Sequence, residues 1–158
     1  MSRSKKKIKK RIVDSDSFYN SQLIQMFILR LIKKGKKRLA YKIILETLKN
    51  IKNKTQTDPI EIIEQALRYT TPSVEIKARR IGGTVNSIPV ELSVYRGTSL
   101  AIRWILSSCK TKSVKIKTMS NRLANELIDN SNKIGNAVRK KEEIHKIANI
   151  NIRTSKNI

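Results

Sequence analysis

Cysteine, aromatics, acidic residues and long apolar runs are all scarce in this chain of 158 residues. A single Cys109 allows no internal disulfide and cannot by itself supply a zinc site. Aromatics at 4% argue against a sheet that reads single strands by base stacking. The longest apolar stretch, Leu23 to Ile32, is broken by Gln25 and Arg30. It falls well short of the roughly 20 apolar residues that a membrane span needs. The most telling scarcity is of negative charge: 12 Asp+Glu stand against 35 Lys+Arg, a formal net charge of +23.

That much uncompensated charge on 18.1 kDa repels itself in any compact state unless a polyanion neutralises it. Nucleic acid is the first candidate and an anionic membrane the second. Hydrophobic residues at 39% suffice for one core. A domain of this length hides roughly 70% of its unfolded surface, so a wholly disordered basic tail is excluded and a single domain is expected. The charge is unevenly spread: residues 1–57 carry 17 Lys+Arg against 3 Asp+Glu, and residues 96–122 carry 7 against 0. The segment 58–95 between them is nearly neutral, as when binding surfaces are grafted onto a packed scaffold.

Residues 1–13, MSRSKKKIKKRIV, form a basic arm with too little apolar content to pack. No apolar stretch of about 7–15 residues follows its charges, so it is not a secretory signal, and it is too short and too poor in Ser to suit a transit peptide. Asp16, Ser17, Asn20 and Ser21 offer N-caps for a first helix running to about Lys34, with Leu23, Met26, Phe27, Ile28, Leu31 and Ile32 at helical spacing. Gly35 suits the left-handed residue that ends such a helix. A second helix follows at once, with Ala40, Ile44, Leu48 and Ile51 on one stripe and Leu39 and Ile43 widening it. So short a connection predicts an antiparallel helical hairpin. Its loop holds Lys33, Lys34, Lys36, Lys37 and Arg38 around Gly35. Lys33 and Lys34 suit a helix C-terminus, but cations opening the next helix oppose its dipole. An anionic ligand at this corner accounts for them better.

Asp58-Pro59-Ile60-Glu61 has the form of a helix start, with Asp58 as cap, Pro59 pre-organised and Glu61 completing the box. That third helix should bury Ile62, Ile63, Ala66 and Leu67 and stop at Thr71-Pro72. The period then changes to two. Val74, Ile76 and Ala78 alternate with Glu75, Lys77 and Arg79, and beyond Gly82-Gly83, Ile88, Val90 and Leu92 alternate with Pro89 and Glu91. This predicts a β-hairpin at about 73–93. Two strands alone are marginal in water, so the apolar part must sit on the helices while the tip, with Arg79 and Arg80, projects. Three further helices are expected: one from Gly97-Thr98, with Leu100, Ala101, Ile105 and Leu106 inside and Arg96 and Arg103 on the opposite face; one from Thr118, with Leu123, Ala124, Leu127 and Ile128 inside; and one from Asn136, with Ala137, Val138, Ile144, Ile147 and Ala148 inside. A lysine-rich connector, with Lys110, Lys112, Lys115 and Lys117, joins the first two. Residues 151–158 show no periodicity and read as a loose tail. The fold class is mainly α: one domain over 14–150, of six helices, with a protruding two-stranded β-ribbon between the third and fourth.

Catalytic readings fail one by one. His145 has no Cys or carboxylate at ligand spacing, so no metal is expected. Glu142 and Glu143 are adjacent, hence about 100° apart on a helix, and make no facing acid/base pair. Cys109 lies beside Lys110 but lacks a recognisable base, and Trp104 reads as core or half-buried. Gly82-Gly83-Thr84 lacks the ending of a nucleotide-binding loop. Neither an enzyme nor a cofactor is implied.

In order, the segments LIKKGKKRLAYKII (31–44), NKTQTDPIEIIEQAL (53–67), TPSVEIKARRIGGTVNSIPVEL (71–92), AIRWIL (101–106) and AVRKKEEIHKIA (137–148) resemble the seventh small-subunit ribosomal protein family, in its bacterial and chloroplast type. The spacing across 52–59 is closest to the chloroplast version. The chain departs from the family pattern at Asp16-Ser17-Phe18-Tyr19, where Asp-Pro is usual, in the 110–117 connector, and in lacking an aromatic C-terminal finish. The resemblance implies six helices with a ribbon between the third and fourth. It also implies a primary binder of small-subunit rRNA that nucleates the head, the 3′ major domain, and lies beside exit-site tRNA and the mRNA exit channel. The eleventh small-subunit protein is an implied neighbour, and no membrane is. Heavy use of Ile, Lys and Asn fits an AT-rich plastid genome. With no transit extension ahead of the matched region, the expected place of work is the plastid stroma, or alternatively a bacterial cytoplasm.

The expected rRNA contacts are Arg3, Lys5, Lys6, Lys7, Lys9, Lys10 and Arg11 in the arm, and Lys33, Lys34, Lys36, Lys37 and Arg38 at the corner. Lys77, Arg79 and Arg80 on the ribbon, Arg96 and Arg103, and Lys110, Lys112, Lys115 and Lys117 complete them. Arg79, Arg80, Gly82, Gly83, Arg139, Lys140 and Lys141 are expected near tRNA or mRNA. The alternative is a DNA-bending architectural protein with the ribbon as a minor-groove arm. Such arms wedge an apolar residue or proline at the tip, whereas Pro89 sits toward the base. A membrane-surface protein would need amphipathic helices with exposed aromatics, which are scarce.

Overall fold

A computed structural model describes residues 13–16, 19–81, 83–111 and 118–155. Its order is α1 (Gln22–Leu31), α2 (Lys37–Thr55), α3 (Pro59–Thr70), β1 (Val74–Ile81), β2 (Thr84–Glu91), α4 (Val94–Thr111), α5 (Met119–Ser131) and α6 (Asn136–Ser155). The six helices and the ribbon between α3 and α4 are those expected from the sequence.

Helix α5 is central, packing against α2, α3, α4 and α6. Leu123, Ala124 and Leu127 point from it into the core, where they meet the Ala40–Ile44–Leu48–Ile51 stripe of α2 and Ile62, Ile63, Ala66 and Leu67 of α3. Ala101, Ile102, Ile105 and Cys109 of α4 and Ile24, Phe27 and Ile28 of α1 close the cluster. Burying one such Ile, Leu or Phe is worth roughly 1.5–3 kcal/mol. A polar seam registers α2 on α5: buried Thr47 bonds the Ser120 carbonyl at 3.3 Å, Asn50 donates to Asn121 at 2.7 Å, and Lys54 donates to Asn125. These residues fall on one α2 face because 47, 50 and 54 are three and four apart.

Local chemistry sets most boundaries. The Asp58 carboxylate accepts from the Ile60 amide at 3.0 Å with Pro59 behind it, and Thr71, extended before Pro72, ends α3. Three boundaries differ from the sequence expectation. Helix α1 ends at Leu31 rather than Lys34, because Ile32 turns extended and packs against the core. Lys34 and Gly35 are then both left-handed (φ 51° and 73°), so Gly35 serves the turn rather than the helix cap. Helix α4 begins at Val94, not at Gly97-Thr98. Gly97 lies buried inside it, because a Cβ there would stand 2.9 Å from the Pro72 carbonyl oxygen. Helix α6 continues through Ser155, into the stretch that lacks periodicity, and Asn151 there donates to the Ser87 carbonyl of β2 at 3.0 Å.

Some expected core positions face solvent instead. Leu39 and Ile147 each lie beside, not on, a buried stripe and are 53% and 47% exposed. Ala78 is exposed too, at the level where the ribbon makes its Asn151–Ser87 contact and leaves the body. Between α5 and α6, buried Glu126 accepts from the Asn130 amide and from the Ala137 backbone N–H, both at 3.3 Å. The carboxylate thus sits at the positive end of α6.

Candidate nucleic-acid interface

The corner between α1 and α2 is built by a turn in which Lys36 N–H bonds the Lys33 carbonyl at 3.1 Å. Lys33, Lys34, Lys36, Lys37 and Arg38 are all exposed, and neither α1 nor the first turn of α2 carries an acidic residue. Five cations therefore share one corner with no carboxylate on the adjoining turns. Lys36 is the residue before α2, and its side chain makes no capping bond. The clustered exposed cations suit a phosphate group.

The ribbon is an antiparallel pair in which Val74 faces Glu91, Lys77 faces Ile88 and Arg80 faces Val85. Ile88, Pro89 and Val90 are half-buried at its root, whereas Ala78, Arg79, Arg80, Val85, Asn86 and Ser87 are exposed. About three residue pairs, roughly 10 Å, stand beyond the Ser87 contact with α6. Arg79 and Arg80 point to opposite faces of this free part. At the tip, Ile81 pairs with Thr84 and Gly83 is left-handed at φ 89°. Gly82 lies outside the described residues, as do the arm cations Arg3, Lys5, Lys6, Lys7, Lys9, Lys10 and Arg11 and the connector lysines Lys112, Lys115 and Lys117.

Several cations singled out from the sequence have work inside the fold. Arg96 grips the Glu75 carboxylate with two nitrogens, at 2.8 and 2.9 Å, and Lys77 reaches the same group at 3.1 Å. The Arg96 bond first, and Lys77 after it, hold Glu75 below the usual carboxylate range. This clamp fixes β1 to the first turn of α4. Lys141 is half-buried, donates to the Tyr69 carbonyl at 2.8 Å and is pushed below the usual lysine value by burial. It satisfies a carbonyl in the last turn of α3, while Lys133 lies 4.7 Å from the centre of the Tyr69 ring. Arg139 and Lys140 beside it stay exposed, as do Arg103 and Lys110.

Three polar residues not among the contacts expected from the sequence, Arg30, Tyr95 and Ser99, lie together where α1 meets α4. Arg30 of α1 donates to the Ser99 hydroxyl of α4, and Tyr95 of α4 is 46% exposed. Burial, and then the charge of Arg103, push Arg30 below the usual arginine value. Arg30 drew notice in the sequence only as a break in an apolar run. The detectable signal was the spacing of Tyr95, Ser99 and Arg103, four and four apart on one helical face.

His145 accepts a bond from the Ser73 amide at 3.3 Å, which occupies it structurally. No group of His, Cys, Asp and Glu among the described residues could hold a metal ion, and no described helix is long and apolar enough to cross a membrane. Cys109 is buried.

By build, this is a basic, mainly helical protein with a projecting two-stranded ribbon and its cations gathered on exposed corners. Its sequence matches the family of ribosomal protein S7p/S5e over residues 2–151, and the chain belongs to that family. Proteins of this family are structural components and not enzymes. The small ribosomal subunit protein uS7c of Nephroselmis olivacea is 48% identical over 142 residues, covering 90% of each chain. That of Tupiella akineta is 46% identical over 147 residues, 93% of each, and protein uS7 of Trichormus variabilis is 45% identical over 144 residues, 91% of each. The suffix of uS7c marks the chloroplast form, which supports a plastid ribosome.

Proposed function

We propose that this chain is a structural protein of the small ribosomal subunit, bound to rRNA of the head and nucleating assembly of that 3′ major domain. Its helical core holds three sets of cations in fixed relation: the Lys33–Arg38 corner, the free part of the ribbon with Arg79 and Arg80, and the α4 face with Arg103 and Lys110. The basic arm of residues 1–13 and the 112–117 connector add phosphate contacts. The ribbon and Arg139 and Lys140 lie toward exit-site tRNA and the mRNA exit channel, the eleventh small-subunit protein is a neighbour, and the plastid stroma is the place of work. The observation that carries the reading is the corner, five exposed cations on adjoining turns that hold no carboxylate. Phosphate contacts supply the affinity, and RNA shape and splayed bases supply the selection.

Replacing Lys36, Lys37 and Arg38 together by Gln should flatten the plot of log K against log salt by roughly 2–3 units for head-domain rRNA. An unchanged slope removes the corner from the interface. In a competition at moderate salt, head-domain rRNA should displace duplex DNA and anionic vesicles. Preference for duplex DNA would instead favour an architectural protein with a basic β-arm.

A further inference from the structure

The face where α1 crosses α4 carries no acidic residue on either helix, yet it brings two arginines together. Arg30 reaches across to the Ser99 hydroxyl, and Arg103 stands one turn further along the same α4 stripe, near enough for its charge to act on Arg30. Like charges held this way cost free energy in the unbound protein, and an anion between them offsets that cost. Tyr95 stands one turn to the other side of Ser99. It is the most exposed of the chain's four tyrosines, and its phenol lies within electrostatic reach of Arg30.

An exposed ring beside a pair of guanidiniums, about 6 Å along one helix face from the serine between them, is not a generic phosphate patch. A phosphate patch needs no aromatic, and Tyr95 neither belongs to the apolar core nor packs against it. We propose that Tyr95, Ser99 and Arg103 of α4, with Arg30 of α1, form a docking site for one unpaired RNA nucleotide. The Tyr95 ring stacks the base, and the two guanidiniums hold the phosphate. The proposal rests on the rRNA-binding reading above and adds to it a point of base contact, distinct from the phosphate contacts of the corner.

The test uses the full chain and head-domain rRNA. Tyr95→Phe keeps a stacking ring and should bind as the wild type does, whereas Tyr95→Leu should lose about tenfold in affinity with the salt slope unchanged. Arg30→Gln should lose affinity and lower that slope by roughly one unit. The double variant Tyr95→Leu/Arg30→Gln should lose less than the product of the two single losses, because both act on one nucleotide. Arg30 and Tyr95 are exposed, and equal urea midpoints confirm that each variant folds. Wild-type affinity in Tyr95→Leu, or equal losses in Tyr95→Phe and Tyr95→Leu, overturns the site and leaves the rRNA reading standing. Failure of the wild-type chain to bind head-domain rRNA overturns both.

Discussion

Gly135 contributes by having no side chain: a Cβ built there would run into the Asn130 side chain and come within 3.0 Å of its backbone nitrogen. Asn130 cannot swing aside, since it is fully buried and its amide is bonded to Glu126. Gly97 is tight as well, with the Pro72 carbonyl oxygen and Thr71 Cγ2 each 2.9 Å from its would-be Cβ. Gly135→Ala should therefore cost about 2–3 kcal/mol and Gly97→Ala about 1–2 kcal/mol of unfolding free energy, read from urea titrations. The reverse order would show that the Asn130–Glu126 pair yields easily. At this scale the sequence was legible where one residue acts on its own backbone, as Asp58 and Pro59 do. It was opaque where a residue's role is its fit to a distant one, as for Gly97 against Pro72 or Arg30 against Ser99.

Three helices, α3, α4 and α6, meet at the root of the ribbon. The Glu75–Arg96 clamp joins β1 to α4, Lys141 ties α6 to the end of α3, and His145 of α6 accepts from Ser73 at the start of β1. Burial, and secondarily the Lys141 ammonium, hold His145 below the usual imidazole value. The neutral ring is the form that accepts the Ser73 bond, so the unfolded chain binds more protons than the folded one as pH falls. The stability that His145 contributes is fully present above about pH 6.5 and is lost as pH drops through the lowered folded value. The urea midpoint of the wild type should fall more steeply from about pH 7 to about pH 5.5 than that of His145→Gln. Parallel curves would exclude His145 as a source of the pH dependence. The elements themselves were readable from periods of 3.6 and 2 and from turn residues. Their ends were read less well, because Ile32 leaves α1 to reach the core and α6 gains its last turns from contact with β2, as in the Asn151–Ser87 bond.

Across the whole molecule, a net charge of +23 works against compaction, and among the described residues the fold keeps every Lys and Arg out of its buried apolar centre. Raising salt from about 0.05 to about 0.5 M, with no polyanion present, should raise the urea midpoint by screening self-repulsion. The same change should weaken rRNA binding. A midpoint that falls with salt would mean that internal ion pairs outweigh the repulsion. The amino-acid sequence alone determined the helical class, the place of the ribbon, the absence of a disulfide and the excess of positive charge. Each of these follows from composition or from periodicity within a single segment. Only the tertiary structure decided which cations remain available. Arg96, Lys77 and Lys141 are engaged by Glu75 and the Tyr69 carbonyl, while Arg30 joins Arg103, Ser99 and Tyr95 on a face with no acid. The physical reason is that a charge's partners are set by through-space distance, and residues 21 or 69 positions apart become neighbours only when the helices pack.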